Sequence, residues 1–154
     1  MTKTLRAALM AAGCGLLAPC AHADWVFRVH NESGVEAKGV VQNVQVVWLK
    51  RGQVNDIRVV GRWDKNFKNM YVVNFENLAN AGDQYCVWEV SYYGSTYAGG
   101  PAGNASGDIT ITPKLVTQKP GFLCEVAGQL HIRYGDKGTN DGATQDYYLR
   151  QAKK

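Results

Sequence analysis

Apolar and polar residues alternate with a period of two along most of the chain. Near the start, Trp25, Phe27 and Val29 alternate with Arg28 and His30. Successive side chains of a β-strand point to opposite faces, so this pattern predicts strands with one dry face and one wet face. The further stripes, in chain order, are Val44, Val46, Trp48; Ile57, Val59, Trp63; Tyr71, Val73, Phe75; Cys86, Trp88, Val90, Tyr92; Ile109, Ile111; Phe122, Cys124, Val126; Leu130, Ile132, Tyr134; and Tyr147, Leu149.

Turn-forming residues separate these stripes. Gly, Asn, Asp and Ser occur at 31–34, 51–52, 81–83 and 135–136, next to the ends of the candidate strands. Residues 74–81 have room for a helical turn, and residues 141–154 for a helical C-terminal end. Neither segment carries three periods of an amphipathic stripe. The pattern therefore predicts an all-β chain, with a single antiparallel β-sandwich or barrel domain of about eight short strands.

Residues 1–23 have the pattern of a secretory signal peptide. Lys3 and Arg6 precede an apolar run, and Ala21 and Ala23 place small residues where signal peptidase reads the chain. The apolar run is shorter than the roughly 20 residues that a membrane-spanning helix needs. We expect cleavage after Ala23, which leaves residues 24–154 as a single domain exported to the periplasm or the extracellular space.

A competing reading of this leader places a lipid anchor at Cys20. Leu17, Ala18, Pro19 and Cys20 resemble the signal of bacterial lipoproteins, whose Cys carries acyl chains that hold the protein on a membrane. Pro19 is unfavourable directly before such a Cys, and a complete cleavage site for secretion follows within three residues. Secretion without an anchor is therefore the favoured interpretation.

The cysteines indicate one disulfide. Cys14 and Cys20 leave with the leader, so the exported form keeps only Cys86 and Cys124. Two thiols in an oxidising compartment most simply pair with each other, and no Cys-x-x-Cys favours a redox-active role. Each of the two lies on the apolar stripe of its own strand. We expect both sulfur atoms to point into the core and to join there.

The net charge argues against polyanionic partners. The whole chain carries 17 basic and 13 acidic residues, and loss of Lys3 and Arg6 lowers its net charge from +4 to 15 − 13 = +2. Such a value favours neither nucleic acid nor an anionic membrane. One segment mixes cations with aromatic rings, as single-strand binders do, but the wet faces of amphipathic strands explain it as well. Its residues are Arg58, Arg62, Trp63, Lys65, Phe67 and Lys68.

No motif for catalysis or for a cofactor is present. Only His30 and His131 follow the leader, and no Gly-x-Ser-x-Gly occurs. A pair of carboxylates remains open as a catalytic device. Four oxygen-bearing side chains are candidates for a loose Ca²⁺ loop, although the EF-hand spacing fails at Gly138 and a polar hairpin turn explains them as well. These candidates are Asp136, Asn140, Asp141 and Asp146.

The Gly-rich stretch at residues 94–107 is the strongest candidate for binding. It contains five Gly and one Pro, which predicts a long exposed loop, and Tyr93, Tyr97 and Asn104 border or occupy it. Exposed aromatic rings stack on sugar faces or anchor protein partners, while an amide fixes orientation. A flexible connector with no partner is the plain alternative.

Three functions remain open. The first is an exported binding module that contacts a protein or a glycan through its loops. The second is a structural or surface-associated envelope protein with no small ligand. The third is a small secreted enzyme or effector that uses carboxylates.

Overall fold

The described residues of the computed structural model are 22–62, 67–97, 106–128, 131–134 and 143–153. They form ten β-strands and no helix, so none of them belongs to a helix that could cross a membrane. The strands are β1 His22–Glu32, β2 Ala37–Val41, β3 Gln45–Leu49, β4 Val54–Arg62, β5 Phe67–Asn77, β6 Gln84–Tyr97, β7 Ser106–Gln118, β8 Phe122–Gly128, β9 His131–Tyr134 and β10 Ala143–Gln151.

The strands form two sheets that pack face to face. One sheet has four strands in the order β4-β1-β10-β8, and the other has six in the order β3-β2-β5-β6-β7-β9. All pairs are antiparallel except β1 with β10, which run parallel. The predicted all-β sandwich is therefore confirmed, with ten strands rather than about eight and with one parallel pair.

Aromatic side chains fill the space between the two sheets. Trp25 of β1 stacks on Tyr92 of β6, with ring centroids 4.6 Å apart. Trp88 meets Tyr147 edge-on at 5.2 Å, which again joins the six-stranded sheet to the four-stranded one. Rings of this size bury more apolar area than any other side chain and dominate the energy of a core. The alternation of apolar and polar residues in the sequence reflects this packing between the two sheets.

The disulfide joins the two sheets. Cys86 of β6 and Cys124 of β8 are within bonding distance, and both are buried. Thirty-eight positions separate them in the chain. The predicted pairing and the predicted inward direction of both sulfur atoms are confirmed.

Strand β2 was not predicted, because its inward positions are small. Ala37, Gly39 and Val41 face the core, and their contrast with the outward Lys38 and Val40 is weak. Small residues are needed here because β2 lies close to the opposite sheet. A Cβ on Gly39 would lie 2.9 Å from Val29 Cγ2 and 3.1 Å from Leu49 Cδ1.

The stripe of Val44, Val46 and Trp48 was assigned to the wrong face. Val46 and Trp48 are 52% and 70% exposed, whereas Val47 and Leu49 are buried. Four apolar residues in succession give no alternation, so a period of two cannot choose a face. Pairing with β2 decides it, since Val47 lies opposite Gly39 and shares its inward direction.

Two segments contain more strand than expected. The C-terminal segment, whose stripe of Tyr147 and Leu149 left a strand and a helical end both open, is strand β10, because it fits between β1 and β8 and pairs with both. Strand β6 continues to Tyr97 and β7 begins at Ser106, so residues 94–97 and 106–107 of the expected loop belong to strands, and residues 98–105 lie outside the described residues. Strand β1 begins at His22, and the expected cleavage site lies within its first residues.

We expect Gly39→Ala to destabilise the protein by about 1–3 kcal/mol, because the added methyl group overpacks the contact with Val29. The control is Gly34→Ala, whose Cβ would meet only Gln151 Oε1 at 3.8 Å. Urea unfolding followed by tryptophan fluorescence measures both variants. Equal stability of the two variants would contradict this account of β2.

Reduction of the disulfide should lower the free energy of unfolding by about 4 kcal/mol, because the cross-link limits the unfolded chain. Urea unfolding with and without dithiothreitol measures this difference. Iodoacetamide should label neither Cys86 nor Cys124 before reduction and both afterwards, as read by mass spectrometry. Labelling of the unreduced, exported protein would show that the bond is absent.

Candidate binding groove at one end of the sandwich

One end of the sandwich is formed by described residues only. Here β1 and β3 end, β4 and β6 begin, and the turns at 33–36, 50–53 and 78–83 lie side by side. We call it the groove end. The opposite end is where β6 leads into residues 98–105 and β9 leads into residues 135–142, which are outside the described part.

A groove of about 400 Å³ opens at the groove end beside Trp48. The indole is 70% exposed, and Leu49 at its base is buried. A wide ring on an apolar floor with a few polar side chains at the rim is the usual composition of a small-molecule site. The complete lining is Glu36, Trp48, Leu49, Lys50, Gln53 and Leu78.

A second cavity lies at the same end of the sandwich. It has a volume of about 620 Å³ and shares Glu36 and Leu78 with the groove. Its other lining residues include Arg51 and Tyr85. The two cavities are therefore neighbours at this end of the sandwich.

The buried side chain of Asn31 fixes two turns of the groove end. Its Nδ2 atom lies 2.8 Å from Val35 O, 3.1 Å from Leu49 O and 3.2 Å from Lys50 O. Its Oδ1 atom accepts a hydrogen bond from the Ser33 hydroxyl at 2.6 Å. Since buried polar groups are costly to leave unpaired, this set of bonds holds both turns in one arrangement.

The backbone of Asn31 makes two further hydrogen bonds, both to the turn at residues 50–53. Its N–H donates to Gln53 O at 2.9 Å, and Gly52 N–H donates to Asn31 O at 2.7 Å. Gly52 has a φ of 73°, a conformation that suits glycine. The turn that contains Lys50 and Gln53 is therefore hydrogen-bonded directly to the end of β1.

The third turn is fixed by Asp83. Its carboxylate accepts hydrogen bonds from Lys119 Nζ at 2.6 Å and from Asn77 Nδ2 at 3.1 Å. These donors lower the pKa of Asp83, with Lys119 as the larger cause. Lys119 also lies over the ring of Tyr85, whose pKa is raised by burial and then by the charge of Asp83. Leu78, which lines both cavities, is carried by this turn.

The polar groups at the rim of the groove are available to a ligand. Across the described ranges, neither the Glu36 carboxylate nor the Lys50 ammonium takes part in a hydrogen bond or an ion pair. Gln53 Oε1 accepts the Lys50 N–H at 2.9 Å, which leaves the amide nitrogen of Gln53 to donate elsewhere. One acceptor and two donors thus surround the indole.

Of the three residues selected from the sequence as binding contacts, Tyr93 has a described side chain, and it does not line this groove. Tyr93 is on the outer face of the six-stranded sheet, 52% exposed, with Lys68 and Thr110 opposite it on the neighbouring strands. Tyr97 pairs with Ser106 at the end of β6, and its side chain and all of Asn104 lie outside the described residues. Binding through these three residues stays a prediction. Trp48 was missed because it was counted as core.

The Ca²⁺ candidates are partly described. Asp146 lies on the outer face of β10, with Oδ1 2.6 Å from His30 Nε2, and the ring of His30 stacks on Tyr148 with centroids 4.3 Å apart. Asp136, Asn140 and Asp141 lie outside the described residues. Within the part that the structure describes, no three acidic, His or Cys side chains cluster as a metal site. The Ca²⁺ loop stays a prediction.

The chain matches no protein-family model, no curated protein and no solved structure. Its function must therefore be argued from the geometry of its own side chains.

The low pKa of Asp83 makes the groove end sensitive to acid. A carboxyl whose pKa falls on folding stabilises the folded protein above its unfolded pKa, and this stabilisation is lost as the pH falls through the lower, folded value. Asp83→Asn should therefore lower the melting temperature at pH 7. The difference from the unsubstituted protein should shrink once the pH falls below the unfolded pKa of about 4, and should vanish below the lower, folded pKa. Thermal unfolding between pH 7 and pH 2 measures it, and a difference that persists at pH 2 would exclude this ion pair as its cause.

Proposed function

We propose that this chain is an exported binding module that contacts its partner at the groove end. The observation that carries the proposal is Trp48, a 70% exposed indole in a groove whose three turns are held by hydrogen bonds. Exposed Trp side chains on fixed surfaces are typical of contact sites, because burying the ring against a partner yields a large gain from one side chain.

The residues around Trp48 favour a binding role over the alternative, an exposed indole that contacts no partner. Val44 and Val46, on and next to the same edge strand, are 40% and 52% exposed, so the apolar surface continues along β3. Contiguous apolar surface of this kind usually marks a place where something binds. The fixed turns add to this, since a site that is already arranged loses little freedom when a partner arrives.

Export rests on the leader and on the disulfide. Residues 1–23 carry the positive start, apolar run and small residues of a secretory signal. The bond between Cys86 and Cys124 forms and persists most readily in an oxidising compartment. We therefore place the folded domain in the periplasm or outside the cell, without an anchor at Cys20.

A fractionation experiment tests export. Expression of the full chain in a Gram-negative host should deliver it to the periplasm, with Asp24 as its first residue by intact mass. Retention in the cytoplasm with residues 1–23 attached would refute export. A diacylglyceryl mass increment on Cys20 would instead establish the lipid anchor.

Binding is tested with two matched aromatic variants, Trp48→Ala and Tyr93→Ala. The mature protein is presented to a glycan array and, in parallel, cross-linked in an envelope extract. Trp48→Ala should weaken the recovered binding at least about tenfold, while Tyr93→Ala should not, because Tyr93 lies on the outer face of β6 rather than in the groove.

A third variant, Tyr97→Ala, distinguishes binding at the groove from binding at the loop that the sequence predicts at residues 94–107. Binding that survives Trp48→Ala but is lost in Tyr97→Ala would move the contact surface to the opposite end. Binding that survives both variants, or no binding at all, would contradict the proposal and favour a structural envelope protein.

A further inference from the structure

We propose that the groove beside Trp48 binds a neutral carbohydrate, with one pyranose ring stacked on the indole. This inference rests on the proposed function and deepens it by naming the class of ligand. It joins three observations: an exposed aromatic plane, a groove rim with one negative and one positive side chain, and a second cavity that shares two lining residues with the groove.

The aromatic plane supplies the apolar contact. Trp48 is largely exposed, while the buried Leu49 and the half-buried Leu78 form the floor next to it. A pyranose ring presents a flat face of C–H groups, and an indole is a matching flat, polarisable surface. The hydroxyl groups at the edge of the sugar ring then remain free to meet polar side chains.

The rim supplies the polar contacts. Glu36 offers a carboxylate that accepts hydrogen bonds, whereas Lys50 and the amide nitrogen of Gln53 donate them. A sugar hydroxyl both donates and accepts, so it can use either kind of group. One carboxylate and one ammonium leave the groove beside Trp48 without net charge, which favours a neutral ring there, and Arg51 adds a positive charge only in the second cavity.

The two cavities indicate a ligand longer than one ring. The groove holds about 400 Å³ and its neighbour about 620 Å³, and they share Glu36 and Leu78. Both volumes lie within the roughly 300–1,000 Å³ of small-molecule sites. A linear oligosaccharide that stacks on Trp48 can extend past Leu78 toward Arg51.

Asn31 acts as a positioning residue for this site. It touches no lining side chain through its own amide, but it bonds the carbonyls of Val35 and Lys50, which lie next to Glu36 and within the groove. The backbone positions that carry the carboxylate and the ammonium are thereby held before a ligand arrives. A backbone that is already in place lowers the entropic cost of binding.

An apolar peptide side chain is the main competing occupant. It would cover Trp48 equally well, but it would also bury Glu36 and Lys50 without giving either a hydrogen bond. Burying an unpaired charge is strongly unfavourable. The combination of indole, carboxylate and ammonium therefore fits a polyhydroxylated ring better than a hydrocarbon chain.

The test uses the mature chain with three probes: cellotriose, chitotriose and sorbitol. Sorbitol carries the hydroxyl groups of glucose without a rigid ring, so it controls for stacking. The indole N–H resonances are followed by NMR during each titration, with Trp48→Phe identifying the Trp48 signal. At least one trisaccharide should shift that signal saturably at millimolar concentration or below, and sorbitol should not.

Variants locate the contact. Trp48→Ala should weaken trisaccharide binding at least about tenfold, and Glu36→Gln should weaken it about threefold or more. The matched control is Glu32→Gln, since Glu32 is an exposed carboxylate that pairs with Arg150 outside the groove. The amide spectrum of each variant checks that the fold is kept.

The outcomes separate this inference from the proposed function. Equal binding of sorbitol, equal loss in Glu32→Gln and Glu36→Gln, or no trisaccharide binding would overturn the carbohydrate inference. If envelope capture still depended on Trp48 in that case, the binding module would stand with a protein partner. If Trp48→Ala changed neither readout, both proposals would be wrong.

Discussion

The groove end depends on one buried amide. Asn31 is completely buried at the end of β1, and its side chain and backbone bond to both turns that border the groove. A buried amide has to satisfy its donors and its acceptor inside the protein, so its partners have little freedom to move. Strand β1 is an inner strand of the four-stranded sheet. Because Asn31 at its end is hydrogen-bonded to both turns, the position of β1 determines where the turn residues lie at the surface.

The exposure of Trp48 follows from how the two sheets meet. Strand β3 is the outermost member of the six-stranded sheet, and its inward positions are already used by Val47 and Leu49. Trp48 must then point outward, and it meets the turns that Asn31 and Asp83 hold. An edge strand with exposed apolar residues is a liability for a protein unless a partner covers it. A binding role gives this arrangement a reason.

The outer face of the four-stranded sheet differs from the groove end in how its charged side chains are paired. There the charged side chains pair with each other across strands, as Arg28 does with Asp56 and Arg150 with Glu32. Arg28 lowers the pKa of Asp56 through their hydrogen bond. Pairs this exposed contribute little to stability, but they leave few free charges for a ligand. At the groove end, by contrast, Glu36 and Lys50 have no ion-pair partner among the described residues.

Residue patterns along the chain were enough to predict the fold class and the disulfide. A period of two is visible wherever large apolar residues alternate with polar ones, as around Trp25, Trp88 and Tyr147, and both cysteines share these stripes. The pattern failed where contrast was absent: β2 has Ala and Gly at inward positions, and β3 has four apolar residues in succession.

The candidate site could not be predicted from residue patterns and depends on how the strands and turns assemble. Glu36, Trp48 and Leu78 lie on three different elements, and nothing in their spacing brings them together. Their meeting depends on sheet order and on hydrogen bonds between turns distant in the chain, which local periodicity does not encode. The direction of Trp48 likewise depends on its partner strand, because an isolated apolar run has no preferred face.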